Sequence, residues 1–182
     1  MFVEAIQEED VTRFVFVDET RTNLTYCRRY GRAPVGRRLN QAMPLRGGPN
    51  VTLIAELTPD GLGALLRGDG TVNGDVFAAY LAQVLGPMLI PGDVVVLDNL
   101  PAHKVAGLAE LVEARGARLL YLPSYSPDFN PIALVFSKLK TGLRTAQART
   151  RESLVAVIQT ATGWITERDA KNGFDQCGYL VY

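Results

Sequence analysis

The sequence has few of the residues that announce a function. Its 182 residues include one histidine, two cysteines and one tryptophan. Cys27 and Cys177 lie far apart and form no CxxC or Cys/His cluster. That argues against a structural zinc site and for two reduced, buried thiols. Excess charge is also missing: 19 basic residues balance 19 acidic ones. No global field therefore marks a polyanionic partner, although a basic patch beside an acidic site fits the same balance. No apolar run approaches the roughly 18 residues of a membrane span. The N-terminus, MFVEAIQEED, is acidic rather than signal-like. Repeats, low-complexity segments and serine or cysteine arrangements for nucleophilic catalysis are absent. What remains describes a soluble, cytoplasmic, single-domain protein, whose 47% hydrophobic residues suffice for a core.

Against that background one stretch stands out, Val94 to Lys104, with the sequence VVVLDNLPAHK. Four apolar residues ending on Asp98 describe a short strand, buried on both faces, that delivers a carboxylate at its end. In open α/β sheets, ligand chemistry gathers beyond the carboxyl ends of the strands. A second run, Arg13 to Asp18 (RFVFVD), reads as a strand that also ends on an acid. Alternation sends the next side chain, Glu19, to the opposite face. Two strand-terminal acids suggest a divalent metal site, because hard cations such as Mg²⁺ take oxygen ligands. A third acid is expected at the start of the helix after the strand beside Asp98.

Residues 1–12 form an acidic lead-in, the tail of a helix, and 13–182 form the domain. Val51–Leu57 and Leu62–Arg67 flank Thr58-Pro59-Asp60-Gly61, a hairpin sequence. The spacing predicts a helix over Asn73–Ile90, with Val76, Phe77, Tyr80, Leu81, Val84 and Leu85 as its stripe. Another covers Lys104–Arg115, with Val105, Leu108, Leu111 and Val112 on one face. Arg118–Leu122 is a further strand. Asn130 suits an N-cap and Pro131 a first helical position, with Phe129 packing at the helix start. That helix runs to about Gln147 and buries Ile132, Val135, Phe136, Leu139 and Leu143. A last helix, about Thr150 to Thr166, buries Leu154, Val157, Ile158, Ala161 and Trp164. The order β, ββ, α, β, α, β, α, α implies an α/β fold, a mixed sheet with helices on both faces. Residues 21–50 differ in kind, with seven arginines and no acid. They read as a long irregular loop holding one short strand. So many cations without an interspersed acid point to a polyanion partner or a dimer contact.

The strings FVDET, VVVLDNLPAHK and YLPSYSPDFNPIALVFSKLK resemble the bacterial insertion-sequence branch of the mariner-like transposases. The resemblance runs from about residue 13 to the closing CGY at 177–179. It implies an RNase H-like core of about five strands flanked by helices, with an Asp, Asp, Glu triad holding two Mg²⁺ or Mn²⁺ ions. Catalytic and metal-ligating roles then fall to Asp18 and Asp98. The third acid would directly follow SPDFNPI, and that position holds Ala133. Residues 99–132, 34 in all, keep the family's spacing while the ligand is gone. The implied activity is metal-dependent DNA strand cleavage and strand transfer, moving an insertion sequence into a TA dinucleotide. Loss of one member of such a set costs many orders of magnitude, so the activity is expected to be impaired or absent. The alternative is a nuclease-dead DNA-binding or dimerising regulator. A third reading has Asp128 substituting as ligand, although Pro131 leaves it on the loop. Relatives carry helix-turn-helix modules before the core, and this chain opens almost at the first catalytic strand. Expected partners are double-stranded DNA, at element ends and the TA target, and a second copy in a homodimer. The expected setting is the bacterial cytoplasm, at the nucleoid, without membrane.

Candidate nucleic-acid contacts follow from the same frame. Lys104 adjoins the catalytic strand and suits a phosphate. His103 either contacts phosphate or caps the helix after it. Asn99 either orients the cleft by hydrogen bonding or caps the turn before Pro101, the structural reading being favoured. Lys138, Lys140 and Arg144 are placed on one side of their helix as backbone contacts. Arg28 and Arg29, with Arg32, Arg37, Arg38 and Arg46, form the stronger cluster.

Overall fold

Phe14 and Phe16 point to one side of their strand, Val15 and Val17 to the other, and the layering follows from that alternation. The computed structural model describes Ile6, residues 9–100 and residues 103–181. Five strands, β1 (Phe14–Thr22), β2 (Val51–Thr58), β3 (Gly61–Asp69), β4 (Val94–Leu97) and β5 (Arg118–Tyr121), form one sheet in the order β3-β2-β1-β4-β5. The β1–β2 and β2–β3 pairs are antiparallel, and the β1–β4 and β4–β5 pairs are parallel. Val15, Val17, Val95 and Leu97 pack against α1 (Gly74–Tyr80) and α2 (Leu108–Glu113). Phe14, Phe16, Val94 and Val96 pack against α3 (Pro131–Ala146), α4 (Arg151–Ala161) and α5 (Glu167–Gln176). The mixed five-stranded sheet with helices on both faces is thus as expected, and all five predicted stripe residues of α3 are buried.

Several elements differ from their predicted bounds for identifiable reasons. β1 continues four residues past Asp18, because Asp18 to Thr22 pair with Ala55 to Val51 after the pairing with β4 has ended at Leu97. The Asn73–Ile90 helix is capped by the Asn73 side chain, which accepts from the Val76 amide at 2.9 Å. It then changes type, passing through a π turn at Leu81–Leu85 and a 3₁₀ turn at Gly86–Met88, where Pro87 has no N–H to continue the ladder. Val76 is exposed rather than part of the stripe. The helix predicted from Lys104 begins only at Leu108, because Gly107 adopts a left-handed φ of 89° that no helix can carry. The predicted last helix stops at Ala161 and closes in a 3₁₀ turn. Trp164, at the end of that turn, is half-buried against Gly142, where a Cβ would come within 2.5 Å of the indole ring.

α5 has no counterpart among the predicted elements. Its interior, ERDAKNGFDQ, buries Ala170, Gly173 and Phe174 at helical spacing, but only Phe174 is large and apolar, so the stripe is faint in the sequence. The signal that marks it is the capping box, in which the Thr166 hydroxyl accepts from the Asp169 amide and the Asp169 carboxylate from the Thr166 amide. Residues 23–50 contain no strand and are mostly exposed. Their root is held by Arg149, whose Nη1 donates to the Leu24 and Tyr26 carbonyls at 3.1 and 2.8 Å. Both cysteines are free, Cys177 buried and Cys27 only half-buried. The acidic lead-in lies mostly outside the described residues. Among those described, no helix is long and apolar enough to cross a membrane.

Candidate active site

Parallel pairing places Phe16 beside Val96 and Val17 beside Leu97. The next residue on each chain is an aspartate. Asp18 and Asp98 therefore occupy matching positions on neighbouring strands, whose spacing is about 4.8 Å. Both continue the even-numbered side of their strands, which is the side covered by α3. The first turn of α3 supplies the third wall, with Asn130 and Ala133. One cavity of about 560 Å³ is lined by Asp18, Asp98, Asn99, Tyr125, Asn130 and Ala133. The position that lacks an acid thus faces the same space as the two acids present, with its methyl group exposed.

The two carboxylates are held differently. Asp18 Oδ1 accepts from the Glu19 amide at 2.7 Å, and its Oδ2 accepts from Asn130 Nδ2 at 3.1 Å. Asn130 stands at the start of α3 as predicted, but its side chain makes no cap hydrogen bond and serves Asp18 instead. Asp98 Oδ1 accepts from the Leu100 amide at 3.1 Å and meets His103 Nδ1. Asn99 donates to Ser124 Oγ at 2.8 Å, tying the Asp98 turn to the loop across the cavity. Burial, and then the charge of Asp98, push the Asp18 carboxyl up to about 6, against the lowering effect of the Glu19 amide, His103 and Asn130.

This shift has a measurable sign. The unfolded carboxyl titrates near 3.8 and the folded one near 6, so the folded state holds the extra proton between those values. Stability is undiminished below about pH 4, falls as pH rises through the window, and bears the full penalty above about pH 6. The penalty is at most about 3 kcal/mol, less because Asp18 keeps an edge open to the cavity. Asp18→Asn is therefore expected to raise Tm by several degrees at pH 8 without metal and to leave it unchanged near pH 3.5. Melting curves at the two pH values check this.

Among the described residues, no group of three or more His, Cys, Asp or Glu side chains is placed to hold a metal. Two adjacent carboxylates, one destabilised by burial and by the other, fit a single divalent cation. Mg²⁺ in particular is commonly bound through one or two carboxylates plus substrate phosphates. They do not complete a two-ion set. Asp128 does not fill the gap: it sits in the Pro127–Phe129 turn, outside the cavity lining, and its charge is felt at Cys177. Glu19 lies on the odd-numbered side, as expected, and pairs with Arg21 at 3.5 Å.

The predicted nucleic-acid contacts divide. His103 is fully buried, so it cannot touch phosphate, and the helix it was to cap begins five residues later. Lys104 is exposed. Lys138 does not share a side with Lys140 and Arg144, because residues two apart on a helix point nearly opposite ways. Lys138 Nζ donates to Asp169 on α5 at 2.6 Å, which with the Thr166 contacts takes the Asp169 carboxyl down to about 2. Lys140 and Arg144 do face the arginine loop. Arg144 lies over the Tyr26 ring, 4.9 Å from its centroid. Arg28, Arg29 and Tyr30 join Ser137, Thr141 and Arg144 around a groove of about 310 Å³. Burial, then the charge of Arg144, hold Lys140 below the usual lysine range; Asp18 acts against this and Arg29 adds to it. Lys140 thus senses both the cavity and the groove.

A family model described as DDE superfamily endonuclease matches residues 13–155. Comparison with curated proteins gives no match. Among solved structures, the Mos1 mariner paired end complex with Mn aligns at a TM-score of 0.76 and 18% identity, covering 96% of this chain and 55% of that one. The Mos1 transposase paired-end complex with left transposon end gives 0.78 and 17%, with coverage of 96% and 55%. The Mos1 transposase catalytic domain with Raltegravir and Mg gives 0.69 and 15%, covering 96% of this chain and 83% of that one. At these identities the likeness is one of fold, the RNase H-like fold of transposase catalytic domains. The chain spans about half the length of the transposase in the first two. With its matched segment covering most of its length, the chain belongs to the DDE superfamily endonuclease family.

Proposed function

We propose that residues 13–182 are the catalytic domain of a DNA transposase whose strand cleavage and strand transfer are impaired by Ala133. One observation carries this: Asp18, Asp98 and Ala133 line a single cavity at matching strand positions and the facing helix turn. Asp18 and Asp98 would hold a divalent cation, Mg²⁺ or Mn²⁺. Such an ion supplies Lewis-acid stabilisation for phosphodiester cleavage. The chain's own groups set the rest. Asn130 and the Glu19 amide orient Asp18, and the Asn99–Ser124 contact fixes the loop opposite. Duplex DNA, at element ends and a TA target, is the substrate, and Lys104, Lys140, Arg28, Arg29 and Arg144 are its backbone contacts. A homodimer working in the bacterial cytoplasm at the nucleoid completes the proposal.

Ala133 also favours a second reading, a nuclease-dead regulator that binds DNA or forms mixed dimers with an active relative. Incubating the purified chain with supercoiled plasmid and Mg²⁺ or Mn²⁺ tests both. The expected result is retarded migration of the plasmid without nicking. Metal-dependent nicking by the unaltered chain would overturn the impaired site, and failure to bind duplex at low salt would overturn the catalytic-domain reading and the DNA-binding form of the second, leaving only the mixed dimer.

A further inference from the structure

His103 is the only histidine of the chain, and it is fully buried. Neither a phosphate contact nor a helix cap accounts for it. Three contacts fix the residue. Its ring lies against Phe77 of α1, with centroids 4.2 Å apart and planes inclined by 31°. Its carbonyl accepts from the Tyr121 hydroxyl at the end of β5 at 2.7 Å. Its Nδ1 meets Asp98 Oδ1. The other ring nitrogen, Nε2, is buried and has no hydrogen-bond partner among the described residues. A buried N–H with no acceptor is rarely tolerated, whereas a bare ring nitrogen leaves no donor stranded. With one proton on the ring, it belongs on Nδ1, where Asp98 receives it.

The consequence lies on the carboxylate. Oδ1 of Asp98 is occupied by His103 and by the Leu100 amide, while no donor among the described residues reaches Oδ2. We propose that His103 is the positioning residue of Asp98: its Nδ1–H holds Oδ1, so that Oδ2 alone is offered to the cavity as a one-oxygen ligand. This rests on the reading of Asp98 as a cation ligand. Phe77 packs on the ring from α1 and Tyr121 holds the His103 backbone from the end of β5, so the direction of the carboxylate is set from the side of the sheet that carries α1. Partners that orient a metal ligand in this way typically change cation affinity 10–100-fold when removed.

A single histidine makes the test direct, because ¹⁵N-labelled histidine reports one ring only. At pH 8.5 without metal, the expected spectrum has Nδ1 protonated and Nε2 bare, and a bare Nδ1 overturns the proposal. Mn²⁺ titration of the full chain then separates positioning from packing. His103→Leu is expected to weaken Mn²⁺ binding about tenfold or more. His103→Asn, whose amide N–H replaces Nδ1–H, is expected to stay within about threefold of the parent. Equal losses in the two variants overturn the positioning role. If the parent binds no Mn²⁺ while its Nδ1 carries the proton, the cation reading of Asp98 fails, and the His103–Asp98 contact stands.

Discussion

Ala133→Glu is expected to turn a chain that leaves supercoiled DNA intact into one that nicks it in the presence of Mg²⁺ or Mn²⁺. The effect is electrostatic. Two divalent ions bring four positive charges to a site that offers two carboxylates, and phosphoryl-transfer sites of this kind rest on three or more. Ala133 lies in the first turn of α3 and its side chain is exposed to the cavity shared by Asp18 and Asp98. A longer side chain there displaces no core residue. A carboxylate near a helix N-terminus also gains from the helix dipole, by about 0.3–1 kcal/mol, which offsets part of its repulsion from the two aspartates. The gain should be large, because members of one catalytic set act as a unit and the loss of one costs many orders of magnitude. Plasmid relaxation measured beside the parent, and beside Asp98→Asn in the same background, reads it out. Relaxation that survives Asp98→Asn would belong to a contaminating nuclease and would contradict the assignment.

The second large effect concerns DNA affinity. Changing Arg28, Arg29 and Arg144 together to glutamine should flatten the salt dependence of duplex binding, lowering the log–log slope by close to 3, at roughly 0.9 for each phosphate no longer neutralised. These three side chains surround one groove, on the side of α3 where Lys140 senses both that groove and Asp18. Lys138→Gln is the matched control. It removes one positive charge from the same helix, but from a side chain already engaged by Asp169, so its slope should stay that of the parent. A slope unchanged in the triple variant, or lowered equally by Lys138→Gln, would contradict the placement of the groove as the DNA-facing surface.

The strands are legible in the sequence because alternating or continuous apolar runs leave little choice of face, and because β4, buried on both sides, reads as an unbroken VVVL. Within each strand the same alternation fixes the side of the terminal acid, but that Asp18 and Asp98 share a side follows from the β1–β4 register, Phe16 beside Val96 and Val17 beside Leu97. Asn130 stands at the helix start that its sequence predicts but performs a different task, since propensity knows only the local cap and not the carboxylate 112 residues away in sequence. His103 is illegible for the same reason: its burial comes from Phe77 and Tyr121, which no local pattern connects to it. Grouping Lys138 with Lys140 is an error of geometry, because a helix turns them apart. α5 escapes because its buried stripe, Ala170, Gly173 and Phe174, holds a single large apolar side chain, so the sequence shows its end caps more clearly than its core face.

The central claim is that the architecture of the site is intact and one ligand is missing. Electron paramagnetic resonance titration with Mn²⁺ tests this most directly, since it counts bound ions without requiring turnover. The parent should bind at most one ion, weakly, and lose it in Asp18→Asn. Ala133→Glu should bind one ion more than the parent and bind the first more tightly. Equal stoichiometry and affinity in the two chains would contradict the claim, because position 133 would then not belong to the metal site.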